Sequence, residues 1–173
     1  MSNYKELLKQ VNTFILDYDG VLTDGTIILL HEGEPLRTAN VKDGYALQLA
    51  NKKGYRVAII SGAKSQSMYN RFSALNITDI FLGIEKKLEI FHDYIRKFDI
   101  RPEEVLYMGD DIPDYEIMKE VGVPTCPSDA CEEIRSISKY ISHNRGGEGC
   151  VRDVIEQVLK VQGKWMNDDA YHW

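Results

Sequence analysis

The sequence predicts an α/β fold: one parallel β-sheet flanked by helices, in a single domain. Three observations predict it. Short, continuous apolar runs recur along the chain, and runs of this length are strands covered on both faces. Amphipathic stretches of helical period lie between them, the alternation that builds a parallel sheet. The length, 173 residues, fits one domain with a substantial core that needs neither disulfides nor a structural metal.

Residues 13–16 form the first predicted strand. The next segment breaks the alternation. Residues 26–30, the polar turn His31-Glu32-Gly33-Glu34 and residues 35–39 read as a β-hairpin, spanning about 24–39, where a crossover helix is expected. A helix over 44–53 follows, with Leu47, Leu49 and Ala50, then a strand over 56–60 and a helix over 64–75. A short strand at 80–82 and a helix over 86–98 come next. The turn Arg101-Pro102-Glu103-Glu104 leads into a strand at 104–108 and a helix over 112–121. The last helix, 148–161, carries Val151, Val154, Ile155, Val158 and Leu159 on one face. The tail from 163 is polar and aromatic. Its Trp165, Tyr171 and Trp173 are read either as a frayed end or as cover for a neighbouring subunit's site.

A formal net charge of −6 argues against binding nucleic acid or an anionic membrane surface through overall charge. The three cysteines, Cys126, Cys131 and Cys150, have no CxxC spacing and read as free thiols in a reducing cytoplasm. Residues 1–10 lack a signal-peptide core, and no run of 18 apolar residues offers a membrane span. A cytoplasmic protein is the expectation.

The chemistry concentrates at strand ends. The strand Phe14-Ile15-Leu16 runs into Asp17-Tyr18-Asp19-Gly20. Side chains two apart on an extended chain share a side, so Asp17 and Asp19 come together at the carboxyl edge of the sheet. Two carboxylates so placed repel, and a hard, oxygen-seeking cation such as Mg²⁺ relieves the repulsion. A second strand ends in Gly109-Asp110-Asp111-Ile112-Pro113-Asp114. If the two strands are neighbours, Asp110 reaches the same cation, with Asp111 and Asp114 as supports. Asp111 also reads as a helix N-cap. A third strand ends in Ser61-Gly62, a hydroxyl and backbone N–H groups suited to an anion. Lys86 or Lys87, opening a helix, supplies a cation for phosphate.

These four elements stand in the order of the haloacid dehalogenase superfamily signature, which the chain resembles over nearly its whole length. The resemblance implies a Rossmann-like fold with Asp17 as nucleophile and Asp19 as general acid/base. It implies Mg²⁺ held by Asp17, Asp19 and Asp110, and phosphate held by Ser61, Gly62 and Lys87. Lys87 is preferred to Lys86 because Leu88 follows it, as in family members. Too few residues separate the motifs for a cap domain, and the chain looks like the capless sugar-acid phosphatase branch. Thr23-Asp24-Gly25, Asn40-Val41-Lys42-Asp43-Gly44-Tyr45 and the run from Arg145 to Asp153 carry that likeness.

What the branch implies is hydrolysis of 3-deoxy-D-manno-octulosonate (KDO) 8-phosphate, in lipopolysaccharide precursor synthesis. A nine-carbon keto-deoxy or N-acylneuraminate 9-phosphate is the alternative substrate. Substrate contacts are implied at Asn40, Val41, Lys42, Asp43, Gly44, Ala63 and Arg71, in a homotetramer whose hairpins form a central barrel and whose neighbouring subunits close each site. Arg71 alone reads equally as a carboxylate partner or an exposed helix arginine. Arg145-Gly146-Gly147 reads equally as an anion nest or a helix lead-in. Many relatives carry arginine where this chain has Ala63, and the nine-carbon enzyme carries glutamate, so Ala63 removes a side chain expected at the sugar. Outside the enzymes, a receiver-like phosphoacceptor module is the competing class, and Asp19 argues against it because a general acid/base favours turnover.

Overall fold

The computed structural model describes residues 4–172. In chain order its elements are α1 (Tyr4–Leu7), β1 (Thr13–Leu16), α2 (Val41–Lys52), β2 (Arg56–Ser61), α3 (Gln66–Ser73), β3 (Asp79–Leu82), α4 (Lys87–Phe98), β4 (Val105–Met108), α5 (Tyr115–Glu120), β5 (Val123–Cys126), α6 (Glu132–Ile137), β6 (Tyr140–Ile141) and α7 (Cys150–Val161). The six strands form one sheet in the order β3-β2-β1-β4-β5-β6, and every neighbouring pair is parallel.

The apolar runs are explained by burial on both faces. Phe14 and Leu16 point into a core with Leu47 and Leu49 of α2, Phe72 of α3 and Val154, Ile155 and Val158 of α7. Ile15, between them, points into a second core with Phe91 and Tyr94 of α4, Ile117 of α5 and Ile134 of α6. The period of two along β1 thus divides one continuous run between two helical layers. β1 pairs with β2 on one side and β4 on the other, with Leu16 level with both Ile59 and Met108. The chain winds outward from β1 to β3, then returns to start again at β4. The carboxyl ends of β1 and β4 therefore flank the reversal of strand order, where ligands bind in open α/β sheets.

Some elements differ from expectation. The hairpin is reduced to one antiparallel bridge, in which Ile28 and Leu36 each donate an N–H to the other's carbonyl at 3.0 Å. Its apolar side chains stay exposed, from 44% at Ile27 to 75% at Leu29, because no other layer of the same chain covers them. Sequence reading also passed over β5, α6 and β6. Pro124 interrupts β5, and proline within an apolar run argues against a strand. β6 has two residues, too few to show alternation. Between β2 and β4 the chain holds only α3, β3, α4 and a short turn, so no cap domain is present among the described residues. No described helix is long and apolar enough to cross a membrane.

Candidate active site

The loop after β1 is built around Asp17. The Asp17 N–H donates to the Met108 carbonyl at 3.0 Å, continuing the β1–β4 ladder one residue past the strand. Gly20 then turns the chain with φ +82°, and a Cβ there would lie 2.0 Å from Asp110 Oδ2. Only glycine permits both the turn and the close approach of the two acidic loops. Thr23, fully buried, ties the turn with its hydroxyl, which accepts from the Gly20 N–H at 3.3 Å and the Gly25 N–H at 3.2 Å.

Oxygen atoms of Asp17, Asp110 and Asp114 lie within 4.8 Å of one another. Lys87 lies against two of them, its Nζ 2.9 Å from Asp17 Oδ1 and 2.7 Å from Asp114 Oδ1. Asp114, fully buried, also accepts from the Tyr107 hydroxyl at 2.6 Å and from the Asp110 N–H at 3.1 Å. It thus braces the lysine, the tyrosine and the β4 loop at once. Lys86, the alternative cation, is exposed and pairs with Glu89.

Three acids against one lysine leave a surplus of negative charge. Burial, then repulsion from Asp114, raises Asp17 to about 7 despite the lysine. Burial, then repulsion from Asp17, Asp114 and Asp111, raises Asp110 to about 8. Burial alone would lower the pKa of Lys87, but the two carboxylates outweigh it and the net shift is upward. Carboxylates forced together in this way fit a hard divalent cation with oxygen ligands, which favours their charged forms. Among the described residues, Asp17, Asp110 and Asp114 are grouped closely enough to hold it.

The Asp19 carboxylate is not in that cluster. Arg37, on the outgoing arm of the hairpin, grips it with both arms of its fork: Nε to Oδ1 at 2.6 Å and Nη2 to Oδ2 at 3.0 Å. The side-chain oxygens that cluster are thus those of Asp17, Asp110 and Asp114, while the carboxylate of Asp19, expected at the cation with Asp17 and Asp110, is turned to Arg37. Asp111 is exposed and caps the turn that follows, accepting from the Ile112 N–H at 2.9 Å.

At the end of β2 the buried Ser61 hydroxyl accepts from the Ala63 N–H at 3.1 Å. The Ile84 N–H donates to the Ser61 carbonyl at 3.0 Å, and the Gly83 N–H to the Ala63 carbonyl at 2.9 Å. This turn is held rigidly against the end of β3, with Gly62 exposed at its apex.

The expected substrate loop has other employment in part. Asn40 caps α2, its Oδ1 accepting from the Lys42 N–H at 2.8 Å, while its Nδ2 donates to the Gly147 carbonyl at 3.0 Å. Asp43 is buried and reaches α7, where its Oδ1 accepts from the Arg152 N–H at 2.7 Å. Its place is a cap between two packed helices, because a carboxylate satisfies free N–H groups at a helix start. Val41 and Lys42 face outward. The Arg71 guanidinium crosses Gly44, where a Cβ would lie 2.4 Å from its Nη2, so Gly44 makes room for Arg71. Ala63 is half-buried beside the Ser61 turn.

The anion-nest reading of Arg145-Gly146-Gly147 does not hold. The Gly146 N–H donates to Asp129 Oδ1 at 3.0 Å and the Gly147 N–H to the Val21 carbonyl at 2.9 Å, so neither is free. In the tail, Trp165 packs on its own core with the Arg152 guanidinium 5.3 Å from its ring, and the His172 carbonyl accepts from Lys52 Nζ at 2.9 Å. Within the chain the described tail residues thus meet α2 and α7, and Trp173 lies outside the described residues.

Sequence reading missed Arg37 and Tyr107. Their signals were a lone arginine on a hairpin arm and a hydroxyl inside a buried strand, and neither names its partner.

Comparison with known proteins identifies the family. Residues 41–122 match the haloacid dehalogenase-like hydrolase family. The KDO 8-phosphate phosphatase KdsC of Salmonella typhi is 38% identical over 156 residues, covering 90% of this chain and 83% of that protein. The crystal structure of the KDO 8-phosphate phosphatase from Moraxella catarrhalis, in complex with magnesium ion, phosphate ion and KDO, is 34% identical. It superposes with a TM-score of 0.92, covering 99% of this chain and 97% of that one. The cobalt-bound form of the Haemophilus influenzae enzyme is 27% identical, with a TM-score of 0.89 and coverage of 95% and 98%. Sequence and fold agree along almost the whole chain: it belongs to the haloacid dehalogenase-like hydrolases, among the relatives of the KdsC phosphatases.

Proposed function

We propose that this chain is a Mg²⁺-dependent phosphatase that hydrolyses KDO 8-phosphate to KDO and phosphate. The observation that carries the reading is the buried Asp17 carboxylate, 2.9 Å from Lys87 and within 4.8 Å of Asp110 and Asp114, at the carboxyl edge of the sheet.

Asp17 attacks phosphorus in line, and the bond from phosphorus to the sugar oxygen breaks, leaving an acyl phosphate on Asp17. Asp19 gives its proton to the departing sugar oxygen. It then takes a proton from water as that water attacks the acyl phosphate, releasing inorganic phosphate and restoring the Asp17 carboxylate. Lys87 and the Ser61-Gly62 turn hold the phosphoryl oxygens and offset their charge. Mg²⁺ bound at Asp17, Asp110 and Asp114 would neutralise further phosphoryl charge. Asp114 and Tyr107 keep Lys87 oriented. In this reading Arg71, whose guanidinium lies over Gly44, meets the sugar acid's carboxylate.

The exposed apolar hairpin supports a homotetramer in which hairpins of neighbouring chains cover one another and help close each site. A cytoplasmic location accords with three cysteines that form no disulfide.

Acid quenching during turnover tests the chemistry. Phosphate is expected on Asp17 in the wild-type enzyme and nowhere in Asp17→Asn, which should fold but not turn over. A phosphorylated residue other than Asp17 would overturn the assignment.

A further inference from the structure

The Arg37–Asp19 ion pair has no part in the steps above, yet its geometry is specific. Both guanidinium arms engage both carboxylate oxygens, across 18 residues of chain. The Arg37 side chain is 12% exposed against 36% for Asp19, so the base is the packed partner and the acid the more open one. Arg37 is also anchored from both directions. Its neighbour Leu36 forms the hairpin bridge to Ile28. Three residues before it, Glu34 accepts from the Gln66 N–H at 2.9 Å and the Ser67 N–H at 3.1 Å, pinning the hairpin tip to the start of α3. An exposed, mobile ion pair contributes little in energy or geometry. A packed, two-armed one fixes the carboxylate plane.

We propose that Arg37 is a positioning residue for Asp19: its fork sets the plane and rotamer of the general acid/base, and through it the hairpin acts on catalysis. The proposal rests on the phosphatase reading of Asp17 and Asp19. The fork favours the charged carboxylate and so opposes proton donation. The alignment it imposes must outweigh that effect, and a carboxyl group free to rotate should then lose rate with little loss of substrate affinity.

The test uses full-length enzyme with Mg²⁺ and compares wild type, Arg37→Gln, Arg37→Lys, Asp19→Asn and the Asp19→Asn/Arg37→Gln double variant. Substrates are KDO 8-phosphate, whose alkoxide must be protonated as it leaves, and p-nitrophenyl phosphate, whose phenolate leaves unaided. Arg37→Gln should lower kcat on the sugar phosphate at least tenfold with KM within twofold. Arg37→Lys should recover part of that loss, which also guards against a misfolded Gln variant. The loss in kcat/KM should be smaller on the aryl phosphate. In the Asp19→Asn background, Arg37→Gln should change kcat/KM on the aryl phosphate less than twofold, since its route to the reaction is already cut. An unchanged kcat, a loss confined to KM, an equal loss on both substrates, or full additivity with Asp19→Asn would each overturn the proposal while leaving the phosphatase reading intact. A wild-type enzyme inactive on both substrates would overturn that reading and the proposal with it.

Discussion

The Lys87 ammonium lies 2.9 Å from the Asp17 carboxylate, with side chains only 7% and 11% exposed. In so dry a setting a cation beside the nucleophile has two effects. It lessens the repulsion among three acids, and it meets the charge of the arriving phosphoryl group. Lys87→Met should lower kcat/KM by roughly a hundredfold or more, the scale seen when a donor to transition-state charge is removed. Removing one partner of a buried ion pair costs about 3–5 kcal/mol, so the metal-free variant should also melt well below wild type. Steady-state kinetics with thermal melts in chelator checks both. Wild-type kinetics in the variant would place Lys87 outside the reaction.

The acidic cluster predicts how stability follows pH. Asp17 and Asp110 are raised to about 7 and about 8, above their unfolded values, chiefly by burial and then by repulsion from neighbouring carboxylates, Asp114 for Asp17 and Asp17 with Asp114 for Asp110. The folded state therefore holds these protons more tightly than the unfolded chain. Their stabilisation is complete in acid, below the unfolded carboxylate pKa, and is lost as pH rises through about 7 and 8. Without metal, Tm should fall between pH 5 and pH 9, and Asp110→Asn should flatten the fall. Added Mg²⁺ should restore Tm at the alkaline end and lose affinity in acid, because its ligands must first shed protons. Thermal melts across pH, with chelator and with Mg²⁺, read all three effects.

Asp43 predicts a stability effect without a catalytic one. It is buried, it caps α7 through Arg152, and burial raises its carboxyl to about 6. Asp43→Ala removes the cap and should cost about 1–2 kcal/mol. KM for the sugar phosphate should stay within twofold at a temperature where the variant is folded. A tenfold rise in KM with unchanged Tm would return Asp43 to the substrate site.

Much of the site was legible because its logic is local. Asp17 and Asp19 are two residues apart, Asp110 to Asp114 share one loop, and Ser61 ends a strand. Each can be placed from strand ends alone. The division of labour among the acids was not legible. Asp114 joins the cluster because the turn after β4 folds its side chain back under Lys87, 27 residues away in sequence. Asp19 leaves the cluster because Arg37 meets it from a hairpin that sequence periodicity outlined without fixing its docking. The resemblance implies substrate contacts at Asn40 and Asp43, and no local signal shows that their side chains also meet Gly147 and Arg152, more than a hundred residues on. The strand at β5 was hidden by Pro124, whose carbonyl still accepts from the Lys139 N–H at 2.8 Å. Contacts of long sequence separation have no signature in a single chain.

The most direct test of the central claim is steady-state phosphate release, with Mg²⁺, from KDO 8-phosphate and from a nine-carbon keto-deoxy sugar acid 9-phosphate side by side. The account predicts a kcat/KM at least tenfold higher for the eight-carbon substrate, about 1.4 kcal/mol of transition-state discrimination, and no release in excess chelator. A reversed preference, or turnover that survives the chelator, would contradict it.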